Sequence, residues 1–198
     1  MRALISIVIG YLLGSIPSSY LIAKSKGIDI TRKVKDGRIG TVSTISEVGK
    51  FYGFLVGLMD FCKGAISIIA AEKIAQEEWV MIASGLAAII GHNWSLFLGF
   101  KGGKGAATTF GNLFYLLPLQ FLFSAVIIIV LGHFFKKIPT KREDFLSLPF
   151  NRQMRKSTFL TIVLFSLISF FAFLKAYPPI YIFSPLFFSP PILLKKNK

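Results

Sequence analysis

Gly99-Phe100-Lys101-Gly102-Gly103-Lys104-Gly105, shortly preceded by Gly91-His92-Asn93-Trp94, joins two long apolar runs and decides how the rest of the chain is read. A glycine-rich, doubly cationic backbone between such runs is a turn at a membrane surface, with a helix on either side. Its glycines can take positive φ angles and leave backbone N–H groups uncovered, and a helix starting at Gly105 adds its positive dipole end. An anion, above all a phosphate, suits such a turn.

Composition sets the class. The chain has 198 residues, of which 54% are hydrophobic and 21 are Phe, and its mean hydropathy is +0.66. That is more apolar surface than one soluble domain hides, so the expected fold is an all-α integral membrane protein. A formal charge of +14 would suggest nucleic acid in a soluble chain. Here the cations cluster in loops between apolar runs, which is how membrane topology is encoded, and no polar segment carries a basic face with interleaved aromatics. The lone Cys62 can form no internal disulfide and is silent on redox compartment.

In chain order, a first span runs from Ala3 to about Ala23 and kinks at Pro17; it has no A-x-A cleavage site and is read as a retained helix. Its Ser15, Ser18 and Ser19 are read first as small residues for close helix packing, and otherwise as facing a polar cavity. Lys24 to Lys50 is basic and therefore cytoplasmic, which puts the N-terminus outside. The second span, Phe51 to about Ala71, contains Asp60 and Lys63, whose spacing of three predicts an ion pair on one helix face. A third span covers Trp79 to Phe100. The long run from Ala106 to Phe135 must break near Pro118, because the segment from Lys136 to Lys156 is basic again. Ser157–Leu174 and Tyr177–Leu194 complete a polytopic bundle of about seven helices in one domain, residues 1–198, with the C-terminus cytoplasmic. Pro185, Pro190 and Pro191 bend or shorten the last span. Of the Lys and Arg residues, only Arg2, Lys73 and Lys175 then face outward, Lys63 lies within a span, and the rest face the cytoplasm.

The chemistry available is narrow. No Walker A loop fits, since Lys104 is followed by Gly105, and there is no Cys/His cluster at metal-ligand spacing. Neither G-x-S-x-G nor a His followed five positions later by Asp occurs. What remains is electrostatic catalysis by backbone amides and lysines on anionic substrates, with no metal and no cofactor. The glycine–lysine turn, His92 and the Asp60/Lys63 pair are the candidates for it.

Several stretches resemble a known family. Gly10-Tyr11-Leu12-Leu13-Gly14-Ser15-Ile16-Pro17, Ile22-Ala23-Lys24, Gly27-Ile28-Asp29, Asp60-Phe61-Cys62-Lys63-Gly64 and the block from Gly91 to Thr108 are similar, in order and spacing, to the bacterial acyl-phosphate:glycerol-3-phosphate acyltransferases of the PlsY type. The resemblance implies a seven-helix enzyme of the bacterial inner membrane with its site on the cytoplasmic face. Such an enzyme moves a fatty acyl group from acyl phosphate to the 1-hydroxyl of glycerol 3-phosphate, forming lysophosphatidic acid for phospholipid synthesis. It needs no CoA, carrier protein or obligate protein partner, and meets only its substrates and membrane lipids. On this reading His92, Lys104 and Lys63 are catalytic, while Lys101, Gly102, Gly103, Gly105, Thr108 and Arg38 hold phosphate.

The first cytoplasmic loop departs from the pattern. Where the family reads close to G-S-G-N-x-G-A-T-N with an arginine soon after, this chain reads Lys35-Asp36-Gly37-Arg38-Ile39-Gly40-Thr41-Val42-Ser43, then Ser46. The family's basic, asparagine-containing C-terminal motif is replaced by a proline-rich tail. Two other readings therefore fit the same residues: a relative that binds lipid or acyl phosphate without turnover, and a small anion transporter.

Overall fold

The computed structural model of the chain describes residues 1–34 and 38–135, and every named element among them is a helix. The basic segment from 136, the two last expected spans, the proline-rich tail and the loop residues Lys35, Asp36 and Gly37 lie outside the described residues. The described part falls into two compact units, one up to Leu116 and one starting at Leu117.

In the first unit the expected break at Pro17 is complete. Helix α1, Arg2–Ser15, stops before Ile16-Pro17, and α2, Ser18–Ser25, restarts after it, because the residue before a proline is driven out of the helical region. Two short helices, α3 (Ile30–Lys33) and α4 (Thr41–Glu47), occupy the basic loop. Asp29 caps α3: its carboxylate accepts from the Thr31 hydroxyl and N–H, and the hydroxyl bond is the main reason its pKa lies below the ordinary carboxylate value. The second expected span is α5, Lys50–Ile74, whose 25 residues extend roughly 37 Å against a hydrocarbon core of about 30 Å. Arg2–Ser25 and Lys50–Ile74 are both long and apolar enough to cross a membrane.

The third helix, α6, spans Glu78–Asn93 and ends seven residues before Phe100, where the apolar run predicted its end. Tertiary bonds cut it short: Ser95 Oγ donates to the Ser15 carbonyl, and the Ser95 N–H donates to the Lys101 carbonyl at 3.2 Å. Residues 95–101 fold instead into a tight turn around a 3-10 segment, Leu96–Leu98. The unit closes with α7, Ala106–Leu116. The second unit holds α8, Pro118–Phe135, so the long run breaks at the predicted proline.

Close helix contact rests on small residues. Gly10 and Gly14 of α1 face Ser84 and Ala88 of α6, and Gly91 faces Tyr11 and Ser15, with no room for a Cβ at any of the three glycines. Gly64 of α5 and Gly111 of α7 bring those two helices together in the same way. Ser84 Oγ lies within hydrogen-bond distance of the Ser6 carbonyl (3.1 Å) and the Ser67 carbonyl (3.0 Å), tying α6 to both α1 and α5. Asn112 Nδ2 donates to the Gly85 carbonyl at 2.9 Å, tying α7 to α6. These bonds satisfy polar groups that no water would reach in a hydrocarbon environment.

Candidate active site

Asp60 is the hub of the site. It is 2% exposed, and its Oδ1 accepts from Lys63 Nζ at 2.8 Å and from Ser18 Oγ at 3.0 Å, with His92 Nδ1 at 3.5 Å. The pair predicted from the spacing of three is thus formed. Lys63 Nζ also donates to the Ile16 carbonyl at 3.0 Å, a group that the proline break leaves without a helical partner. Three helices, α2, α5 and α6, therefore meet on one buried carboxylate, and Lys63 ties the α1–α2 break to it. A buried charge survives only when paired and hydrogen-bonded, and here both conditions hold.

His92 carries this anchorage to the glycine turn. Its carbonyl accepts the Gly103 N–H at 3.1 Å. A Cβ on Gly103 would strike the imidazole, and one on Gly102 would strike the His92 and Asn93 backbone. Gly102-Gly103 is therefore a strap laid flat over His92, and glycine is required by contact rather than by conformation. Gly105, at φ 78°, needs glycine for conformation as well, and leads into α7.

The first loop reaches the same strap. Arg38 pairs with Gly102 in a short parallel bridge, the Ile39 N–H donates to the Gly102 carbonyl at 3.2 Å, and Gly40 lies against the Gly103 Cα. Ala23, Ile30 and Ile39, with Leu98 packed on them, form the apolar base that holds loop and turn together. Lys101 is exposed and Lys104 half-buried on either side of the two glycines. Arg38, by its backbone bridge to Gly102, and Lys101 and Lys104, by sequence, thus place three cationic residues next to a buried glycine strap.

A small cleft lies beside the strap, lined by Ser15, Ser18, Asp60, Lys63, His92 and Ser95 among others. The serines that sequence reasoning assigned first to helix packing line this cleft, and the glycines beside them do the packing. Ser95 was not singled out in the sequence, and Ser18 only through the second reading, in which these serines face a polar cavity. Thr108, expected as a phosphate contact, is fully buried at the α5–α7 contact, its carbonyl against Gly64. Lys63, His92, Gly102, Gly103 and Arg38 are brought together, and Thr108 lies buried at the α5–α7 contact.

With this geometry in hand the chain was compared with known proteins. The family model described as glycerol-3-phosphate acyltransferase matches residues 4–190. The chain belongs to the glycerol-3-phosphate acyltransferase family. The family protein of Aquifex aeolicus is 43% identical over 128 residues, covering 64% of this chain and 66% of that protein. A Dehalococcoides mccartyi family member is 44% identical over 129 residues, covering 64% and 61%. The chain thus spans less than two thirds of the length of these curated relatives. In structure it is similar to crystal structures of PlsY, an integral membrane glycerol 3-phosphate acyltransferase. The glycerol 3-phosphate form has a TM-score of 0.76 at 34% identity, covering 98% of this chain and 88% of that one. The lysophosphatidic acid form gives 0.75 at 33%. Among its described residues, this family member accordingly has the helical fold of these integral membrane proteins.

Proposed function

We propose that this chain transfers a fatty acyl group from acyl phosphate to glycerol 3-phosphate, forming lysophosphatidic acid and releasing inorganic phosphate. The observation that carries the reading is the Gly102-Gly103 strap, held over a buried Asp60–Lys63–His92 cluster and flanked by Arg38, Lys101 and Lys104. Lysine and arginine side chains beside such a strap are the groups that would bind phosphate and stabilise negative charge on a departing phosphate. The cleft beside it presents serine hydroxyls and the Asp60–His92 pair, groups suited to a hydroxylated acceptor. His92 orients and polarises the reacting group, Lys63 keeps its neighbouring carboxylate paired, and Lys104 meets the leaving phosphate. Charge along the sequence supports a seven-helix domain with the N-terminus outside and the site at the cytoplasmic face of a bacterial plasma membrane.

Purified protein in detergent, given acyl phosphate and glycerol 3-phosphate, is expected to form lysophosphatidic acid above a no-protein control, with no need for a CoA thioester. The altered first loop, with Arg38, Val42 and Ser43 in place of the family's asparagine, threonine and asparagine, favours a second reading: binding without turnover. Retained acyl-phosphate binding with no product selects that reading.

A further inference from the structure

The turn between Ser95 and Lys101 carries large apolar side chains on its outside. Phe97 is 59% exposed, Phe100 60% and Leu96 47%. The turn is built and not frayed. Leu98 and Phe100 N–H groups donate to the Ser95 carbonyl at 3.2 and 2.8 Å, and the Lys101 N–H donates to the Leu98 carbonyl at 3.3 Å. Phe100 takes φ 60°, a left-handed conformation that a bulky residue rarely adopts. The result is a division of faces: Leu98 packs inward on Ala23, Ile30 and Ile39, while Leu96, Phe97 and Phe100 face out.

The surroundings say what meets those side chains. The turn touches α1, whose outer stripe of Leu4, Val8 and Leu12, four residues apart and followed by Ile16 just past the helix end, is also exposed. In a family of integral membrane proteins an exposed apolar stripe of this kind faces lipid, and it belongs to the helix that the turn touches. Beyond the apolar side chains come cations: Lys101 in the turn itself, and the exposed Lys24, Lys26, Arg32 and Lys33 of α2, α3 and the link between them. Apolar side chains bordered by lysine and arginine match the boundary between acyl chains and anionic head groups.

We propose that residues 96–100 form an interfacial anchor. Leu96, Phe97 and Phe100 enter the acyl region of a lipid leaflet bearing anionic head groups, Lys101 meets the phosphates, and the anchor fixes the depth of the adjoining Gly102-Gly103 strap. This holds whether or not the strap catalyses acyl transfer.

Nitroxide scanning tests it. Cys62 is the chain's single cysteine, so full-length Cys62→Ser protein carrying Phe97→Cys, Phe100→Cys or Lys33→Cys can be labelled singly. Each variant is reconstituted in vesicles of phosphatidylcholine and phosphatidylglycerol. Labels at 97 and 100 are expected to collide more with oxygen than with a water-soluble nickel chelate, and the label at 33 to show the reverse. Greater collision with the chelate at 97 and 100 overturns the proposal, as does protection from both relaxants, which would mean a protein cover. Because labelling alters the ring, Phe100→Trp in a Trp79→Phe, Trp94→Phe background gives a second readout. Its emission should be quenched by lipids brominated near the head group; quenching by aqueous iodide alone contradicts the anchor.

Discussion

Asp60 and Gly103 carry opposite kinds of constraint, and each gives a prediction. Removing the Asp60 carboxylate leaves Lys63 buried without its counter-ion, so Asp60→Ala should cost about 3–5 kcal/mol of stability. Asp60→Asn combined with Lys63→Met removes both charges and should recover much of that loss in a thermal melt in detergent. Simple additivity of the single changes would show that the pair is not coupled. Gly103→Ala presses a methyl group against the His92 ring. It should abolish turnover, and His92→Ala should relieve the clash without restoring the wild-type rate. A double-mutant cycle on acyl donor binding reads the coupling, expected on the order of 1 kcal/mol or more for groups in contact. The Asp60–Lys63 pair was legible because a spacing of three on a helix admits few other partners. Ser18 and the Ile16 carbonyl were not, since they reach the pair only after the chain breaks at Pro17 and comes within reach across the bundle.

At the scale of elements, glycine position decides tolerance. Gly14→Ala and Gly64→Ala push a Cβ into the backbone of a neighbouring helix, and each should cost about 1–3 kcal/mol. Gly57 differs: a Cβ there would meet only Thr41 side-chain atoms, at 3.5 Å. Gly57→Ala should therefore be neutral or stabilise α5 by up to about 1 kcal/mol through helix propensity. Thermal melts of the three variants rank them; equal effects would contradict the packing account. Helix existence was readable from apolar runs and prolines, as at Pro17 and Pro118. The end of α6 was not, because it depends on a Ser95–Ser15 bond between residues 80 apart, whereas Leu96, Phe97 and Leu98 simply continue the apolar run. The approach of Arg38 to Gly102 was equally hidden: the partners lie in separate loops, and the contact is made by backbone.

For the whole molecule, the distribution of cations predicts sidedness. In a Cys62→Ser background, a membrane-impermeant maleimide added to intact cells should label Lys73→Cys and spare Lys33→Cys until the membrane is opened. The reverse pattern would invert the proposed topology. The central claim is that the glycine–lysine strap performs acyl transfer, and the most direct measurement is lysophosphatidic acid formation by the purified wild-type chain and its Lys104→Ala variant. Loss of one charge-stabilising contact to the transition state should lower kcat/KM by roughly 100-fold or more. Product from the wild type with such a loss in the variant is the predicted result. Equal rates in the two proteins, or no product from the wild type above a no-protein control, would contradict it.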